Sequence, residues 1–75
     1  MTTRLFSPVT GVVWKLSAQP GTTLMTDDEV LVLESMKMEI PVTAPHAGRL
    51  ARLHVAEGEA VNEGQLLAEI VPENG

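Results

Sequence analysis

The chain has 75 residues, no cysteine, 44% hydrophobic residues and a formal net charge of −5. That length allows one small domain, residues 1–75 with a core at about 5–71; without disulfides or thiolate metal sites, it must be held by a compact apolar core. The acidic balance excludes a nucleic-acid binder, which needs a basic face, and no apolar run approaches the roughly 20 residues of a membrane span.

The opening residues, Met1-Thr2-Thr3-Arg4-Leu5-Phe6-Ser7-Pro8, lack the charged start and long apolar stretch of a signal peptide. A soluble, cytoplasmic protein is expected. Pro8, Gly11, Pro20, Gly21, Pro41, Pro45, Gly48, Gly58, Gly64 and Pro72 then punctuate the chain, leaving windows suited to short strands. The segments Gly11–Ser17, Glu29–Met36, Met38–Thr43 and Gly48–Val55 are rich in Val, Leu and Ile and predict strands, with a weaker one at Leu66–Val71. A helix over Ala56–Ile70 competes for the last region. Gly58 and Gly64 inside it each cost roughly 1 kcal/mol relative to Ala, which favours the strand. The expected core draws on Val12, Trp14, Leu16, Leu24, Val30, Val32, Val42, Leu50, Leu53, Val61, Leu66 and Ile70.

The chain also repeats itself. Pro8 and Pro45, Gly11 and Gly48, Lys15 and Arg52, Leu16 and Leu53, and Gly21 and Gly58 are all 37 residues apart, and Leu24 and Val61 continue the series. A one-residue slip then aligns Val30-Leu31-Val32 with Leu66-Leu67-Ala68 at a spacing of 36. Two copies are too few for a solenoid. Related by a pseudo-two-fold axis, they would instead cover each other's apolar faces as a flattened pair of small antiparallel sheets. Lys37 falls at the junction of the copies, and its repeat position is residue 74. The Lys37 turn and the C-terminus are therefore expected at opposite ends.

At that junction a strand-like run, Val30-Leu31-Val32-Leu33, enters Glu34-Ser35-Met36-Lys37-Met38-Glu39, and a second run, Ile40-Pro41-Val42-Thr43, leaves it. The pattern predicts a tight hairpin with Met36 and Lys37 at its tip. Primed two-residue turns prefer Gly, Asn or Asp, so this tip would be strained, which points towards function. Taken singly, Lys37 would read as a solvated lysine, Met36 and Met38 as core filler, and Glu34 and Glu39 as solvated charges. Trp14 fits core or sheet-face packing. His46 and His54 lack a third ligand at metal-site spacing, and Asp27-Asp28-Glu29 lacks the pattern of a calcium loop. No metal site, nucleophilic triad or phosphate-binding loop is expected.

Ser35-Met36-Lys37-Met38, preceded by Glu34, resembles the Ala/Ser-Met-Lys-Met motif of the biotinyl domains of biotin-dependent carboxylases. "SPVTGVV" near the start, "PHAGRL" after the motif and "VAEGEAVNEGQLLAEI" beyond it extend the resemblance over about residues 5–71. The short turn Ser17–Gly21 leaves no room for the "thumb" of some members. The resemblance implies an all-β flattened barrel or sandwich of two four-stranded antiparallel sheets, a barrel-sandwich hybrid. It implies covalent biotin on Lys37, attached by a biotin protein ligase; Met36 and Met38, flexible and polarizable, are expected to be read by that ligase together with Ser35 and Glu34. It further implies a non-catalytic carrier that shuttles a carboxyl group from a biotin carboxylase to a carboxyltransferase. Lipoate is the alternative cofactor, although lipoyl lysines commonly follow Asp and precede Ala or Ser; an unmodified interaction module is another reading. Met1 and the tail Glu73-Asn74-Gly75 favour a separate protein over an excised domain. The acceptor of the carboxyl group stays open.

Overall fold

The computed structural model describes residues 2–73. They form eight strands: β1 (Thr3–Phe6), β2 (Gly11–Leu16), β3 (Thr23–Leu24), β4 (Glu29–Ser35), β5 (Met38–Thr43), β6 (Gly48–Leu53), β7 (Ala60–Val61) and β8 (Leu66–Pro72). Two four-stranded sheets result, in the orders β1-β8-β6-β3 and β5-β4-β2-β7, with every pairing antiparallel. The described residues contain no helix, so the helical reading of Ala56–Ile70 fails, and none long and apolar enough to cross a membrane. The five predicted strands end within two residues of their expected bounds. The four-residue β1 and the two-residue β3 and β7 carry too little apolar pattern to be read from sequence.

The internal repeat is a property of the hydrogen-bond ladders. Each strand of the first half corresponds to the strand four places later, and this exchange converts one sheet order into the other. The register keeps a single spacing of 37 throughout. Leu5 lies opposite Ala68 as Val42 lies opposite Leu31, and Leu16 opposite Leu31 as Leu53 opposite Ala68. The expected slip to 36 is therefore wrong: Val30 corresponds to Leu67, not Leu66. Apolar letters run continuously on both strands, so they align almost equally well one step out of register. Pairing decides, because a one-residue shift would turn each side chain to the opposite face.

Val13, Leu24, Val30, Leu31, Leu33, Leu50, Val61, Leu67, Ala68 and Ile70 are at the heart of the core. Val12 and Trp14, expected inside, are 41% and 50% exposed. A bulge at Val13/Lys15 explains this. It inserts one residue into the alternation, so Val13 and, three positions later, Leu16 share the inner side. The same bulge recurs at Leu50/Arg52, 37 residues on, with Leu50 and Leu53 on the inner side. Leu66 is only partly buried, and its neighbour Leu67 takes the core place. Val32 is buried but lies outside the main cluster.

Gly11 and Gly48 leave room for the backbone of a neighbouring strand. A Cβ on Gly11 would sit 2.4 Å from the Glu34 carbonyl oxygen, and one on Gly48 would sit 2.4 Å from that of Val71. Neither backbone oxygen can move without breaking a ladder. Gly48→Ala and Gly11→Ala should each destabilise the fold by about 1–3 kcal/mol, the usual range for overpacking. The check is a urea midpoint that falls for both variants.

Candidate functional site

β4 and β5 form a hairpin with the shortest possible connection. Ser35 pairs with Met38, and only Met36 and Lys37 lie between them. Both have positive φ, 51° and 65°, so the turn is of the primed type whose twist matches that of its strands. The expectation of a strained tip made of unsuitable residues is thus met. The left-handed region costs an L-residue other than Gly, Asn or Asp roughly 1–2 kcal/mol. Just below the tip, Glu34 and Glu39 face each other across the ladder, both exposed. Like charges directly opposite are unfavourable. Two departures from good hairpin design therefore coincide at one place.

Lys37 is exposed and makes no ion pair or side-chain hydrogen bond with any described residue. Met36 is 90% exposed and Met38 60%, so both are surface groups and not core filler. The other lysine of the chain is differently placed. Lys15 Nζ lies 3.6 Å from Glu29 Oε2 and 5.6 Å from the centre of the Trp14 ring. The Ser17 hydroxyl donates to the same carboxylate and, with the Lys15 charge, holds Glu29 below the usual carboxylate range. One amine is tethered on the sheet face and the other stands free at the tip.

The neck of the hairpin is braced. Ser35 Oγ donates to the Thr10 carbonyl at 2.9 Å, and Thr10 Oγ1 accepts the Glu63 N–H at 3.0 Å. Ser7, buried to 3% exposure, donates its hydroxyl to the Val9 carbonyl at 2.6 Å. Backbone bonds tie Ser7 to Gly64 and Gln65. The loop between β1 and β2 and the turn between β7 and β8 thus hold the base of the Lys37 hairpin. Nothing in the sequence pattern alone marks Ser7, Thr10 or Glu63 as a site residue. The signal available was the internal repeat itself. The positions equivalent to Ser7, Thr10 and Ser35 are Ala44, Ala47 and Pro72, so these three hydroxyls occur only at the Lys37 end.

The remaining candidates stay apart from this site. His46 Nε2 shares a 2.7 Å hydrogen bond with the Thr3 hydroxyl, and His54 Nε2 lies 2.6 Å from Glu69 Oε2. Asp27 has φ 72° in an exposed turn, where the Asp28 carboxylate accepts the Met25 N–H; its repeat partner is Gly64, φ 83°. Trp14 packs on the outer sheet face beside Lys15. Residue 74, and with it the expected placement of the C-terminus opposite Lys37, lies outside the described residues.

A family model described as "Biotin-requiring enzyme", of the biotin/lipoyl type, matches residues 5–70. The biotin/lipoyl attachment protein of Bacillus subtilis is 42% identical over 60 residues, covering 80% of this chain and 82% of that protein. The biotin-dependent acyl-coenzyme A carboxylase alpha3 subunit of Mycobacterium leprae is 48% identical over 64 residues, which are 85% of this chain but 11% of that subunit. The urea carboxylase crystal structure from Kluyveromyces lactis superposes with a TM-score of 0.90 at 34% identity, over 95% of this chain and 6% of that one. The chain therefore spans about a tenth or less of the carboxylases it matches, and most of the small attachment protein.

If the turn is strained by its side chains, Met36→Asn should relieve it, because Asn tolerates the left-handed region. The expected gain is about 0.5–1 kcal/mol, read as a higher urea midpoint with an unchanged slope. A loss of stability would show that the Met36 side chain contributes more than its conformation costs.

Proposed function

The chain belongs to the biotin/lipoyl attachment family, and on that footing we propose that Lys37 carries covalent biotin and that the domain serves a biotin-dependent carboxylase as its carboxyl carrier. The observation that carries this reading is the free Lys37 amine at the tip of a braced two-residue hairpin. A primary amine is the donor an amide link to biotin requires, and here nothing in the described residues competes for it. Bound biotin supplies a ureido nitrogen able to take up and release a carboxyl group.

The chain's own residues do the rest. With biotin activated as its adenylate by the ligase, Nζ attacks the carboxyl carbon: the C–N amide bond forms, the C–O bond to the phosphate breaks, AMP leaves, and the proton released by the nitrogen passes to the ligase. Amide formation ends the positive charge and lengthens the arm. The brace formed by Ser35, Thr10 and Glu63 keeps the base of the arm fixed while the tip stays accessible. Tethering makes each encounter with an active site a local one at high effective concentration. Met36 and Met38 offer flexible, polarizable surface that several partners can fit, and with Ser35 and Glu34 they form the face a biotin protein ligase reads. The partners on this reading are that ligase, a biotin carboxylase and a carboxyltransferase. They hold the catalytic groups, and the carrier holds none.

One observation favours a second cofactor. The Bacillus subtilis relative is a biotin/lipoyl attachment protein, matched over most of its length. Lipoate on Lys37 would make the domain a carrier for acyl or redox groups. The methionines on both sides of Lys37 favour biotin.

The test is incubation of the purified chain with a biotin protein ligase, biotin and ATP, followed by intact mass and peptide mapping. The parent should gain one biotin, on Lys37. Lys37→Arg should gain none, since Lys15 is paired with Glu29 and lies within β2 opposite Val32, away from the tip of the hairpin. A parallel reaction with a lipoate ligase reports the second reading. Labelling of Lys37→Arg at the parental rate would refute the assignment.

A further inference from the structure

The chain contains no cysteine, so its sulfur is all in four methionines. Met25, Met36 and Met38 lie among the described residues, and they are 64%, 90% and 60% exposed. None enters the core. Methionine usually fills irregular gaps inside proteins; here it is placed where solvent reaches the sulfur. Two of the three flank Lys37 directly. Met25 lies on the β3–β4 turn, tied by the Asp27 N–H to the Ala44 carbonyl just beyond the end of β5 away from the tip.

We propose that Met36 and Met38 form a paired methionine-oxidation site, through which peroxide withdraws the Lys37 hairpin from its enzymes and sulfoxide reduction returns it. The proposal rests on the carrier reading. In the forward step a thioether sulfur attacks one oxygen of hydrogen peroxide. The O–O bond breaks, an S–O bond forms and water leaves; sulfur is oxidised by two electrons and peroxide is reduced. In the reverse step two thiols of a sulfoxide reductase take up the oxygen as water and become a disulfide. The sulfoxide is polar and chiral where the thioether was apolar and adaptable. Both sulfurs would change on the face that the ligase and the carboxylase must meet, and on either side of the amine. The fold is unaffected, because neither side chain packs in the core. Local chemistry at an exposed turn would thus set whether Lys37 is accepted.

The experiment treats the purified chain with hydrogen peroxide, maps the sulfoxides by peptide mass, and measures the rate at which a biotin protein ligase labels Lys37. Oxidation should slow labelling at least about tenfold, with the near-ultraviolet dichroism of Trp14 unchanged. Treatment with methionine sulfoxide reductases and a thiol should restore the rate. Met25→Leu should be labelled like the untreated parent and lose the rate on oxidation as the parent does. Met36→Leu/Met38→Leu is judged by its own ratio of treated to untreated rates, expected to be near one. Should that variant be labelled too slowly to measure, reductase rescue of the parent decides. An oxidised parent labelled at the untreated rate would overturn the inference alone, as would a loss that reductase treatment does not reverse. An untreated parent that refuses biotin would overturn the carrier reading and this inference with it.

Discussion

Two small sheets closing on one another, with no covalent help, set everything else in this molecule. There is no cysteine, so stability comes from the shared apolar interior in which Val13, Leu31, Leu33, Leu50, Leu67 and Ile70 are shut off from water. The interior is built twice over, by strands whose pairings repeat at a constant spacing of 37 residues. Gly11 and Gly48, each pressed against a carbonyl of the neighbouring strand, fix how closely the strands meet. A core this regular leaves the ends of the sandwich free to differ.

They do differ, and the difference is where chemistry is proposed. At one end Ser7, Thr10 and Ser35 supply hydroxyls that join loop, hairpin and turn. At the other end the same positions are Ala44, Ala47 and Pro72. The braced end is also where residues unsuited to a primed turn occupy one, and where Glu34 and Glu39 face each other. A symmetric scaffold with one specialised end is a physical description of a presenting device: a braced hairpin whose exposed tip lysine makes no ion pair or side-chain hydrogen bond with any described residue. The same fold is superposable on a small part of a much longer carboxylase chain, and the sequence matches most of a small attachment protein.

Much of this was legible in the residues. The tip at Met36 and Lys37 follows from two apolar runs, Val30–Leu33 and Ile40–Thr43, on either side of the segment Glu34–Glu39, and the strands β2, β4, β5, β6 and β8 follow from Val, Leu and Ile between Gly and Pro. The inner face of β2 was not legible, because strict alternation puts Val12 and Trp14 inside and a bulge cannot be seen in a hydropathy pattern. Comparison of the halves held the answer, since Val13 is the repeat partner of Leu50. At β4 and β8 consecutive apolar residues align in two registers, and only hydrogen bonding chooses between them. The hydroxyl brace is not legible, because short polar residues in loops look alike until their partners are known.

One lysine of the two is singled out by its position at the hairpin tip. The direct measurement is the mass of the chain purified from its own cells, with the modified residue located by peptide mapping. The account predicts biotin on the peptide containing Lys37 and an unmodified Lys15. A bare Lys37 in cells whose other biotin proteins are fully labelled would contradict it.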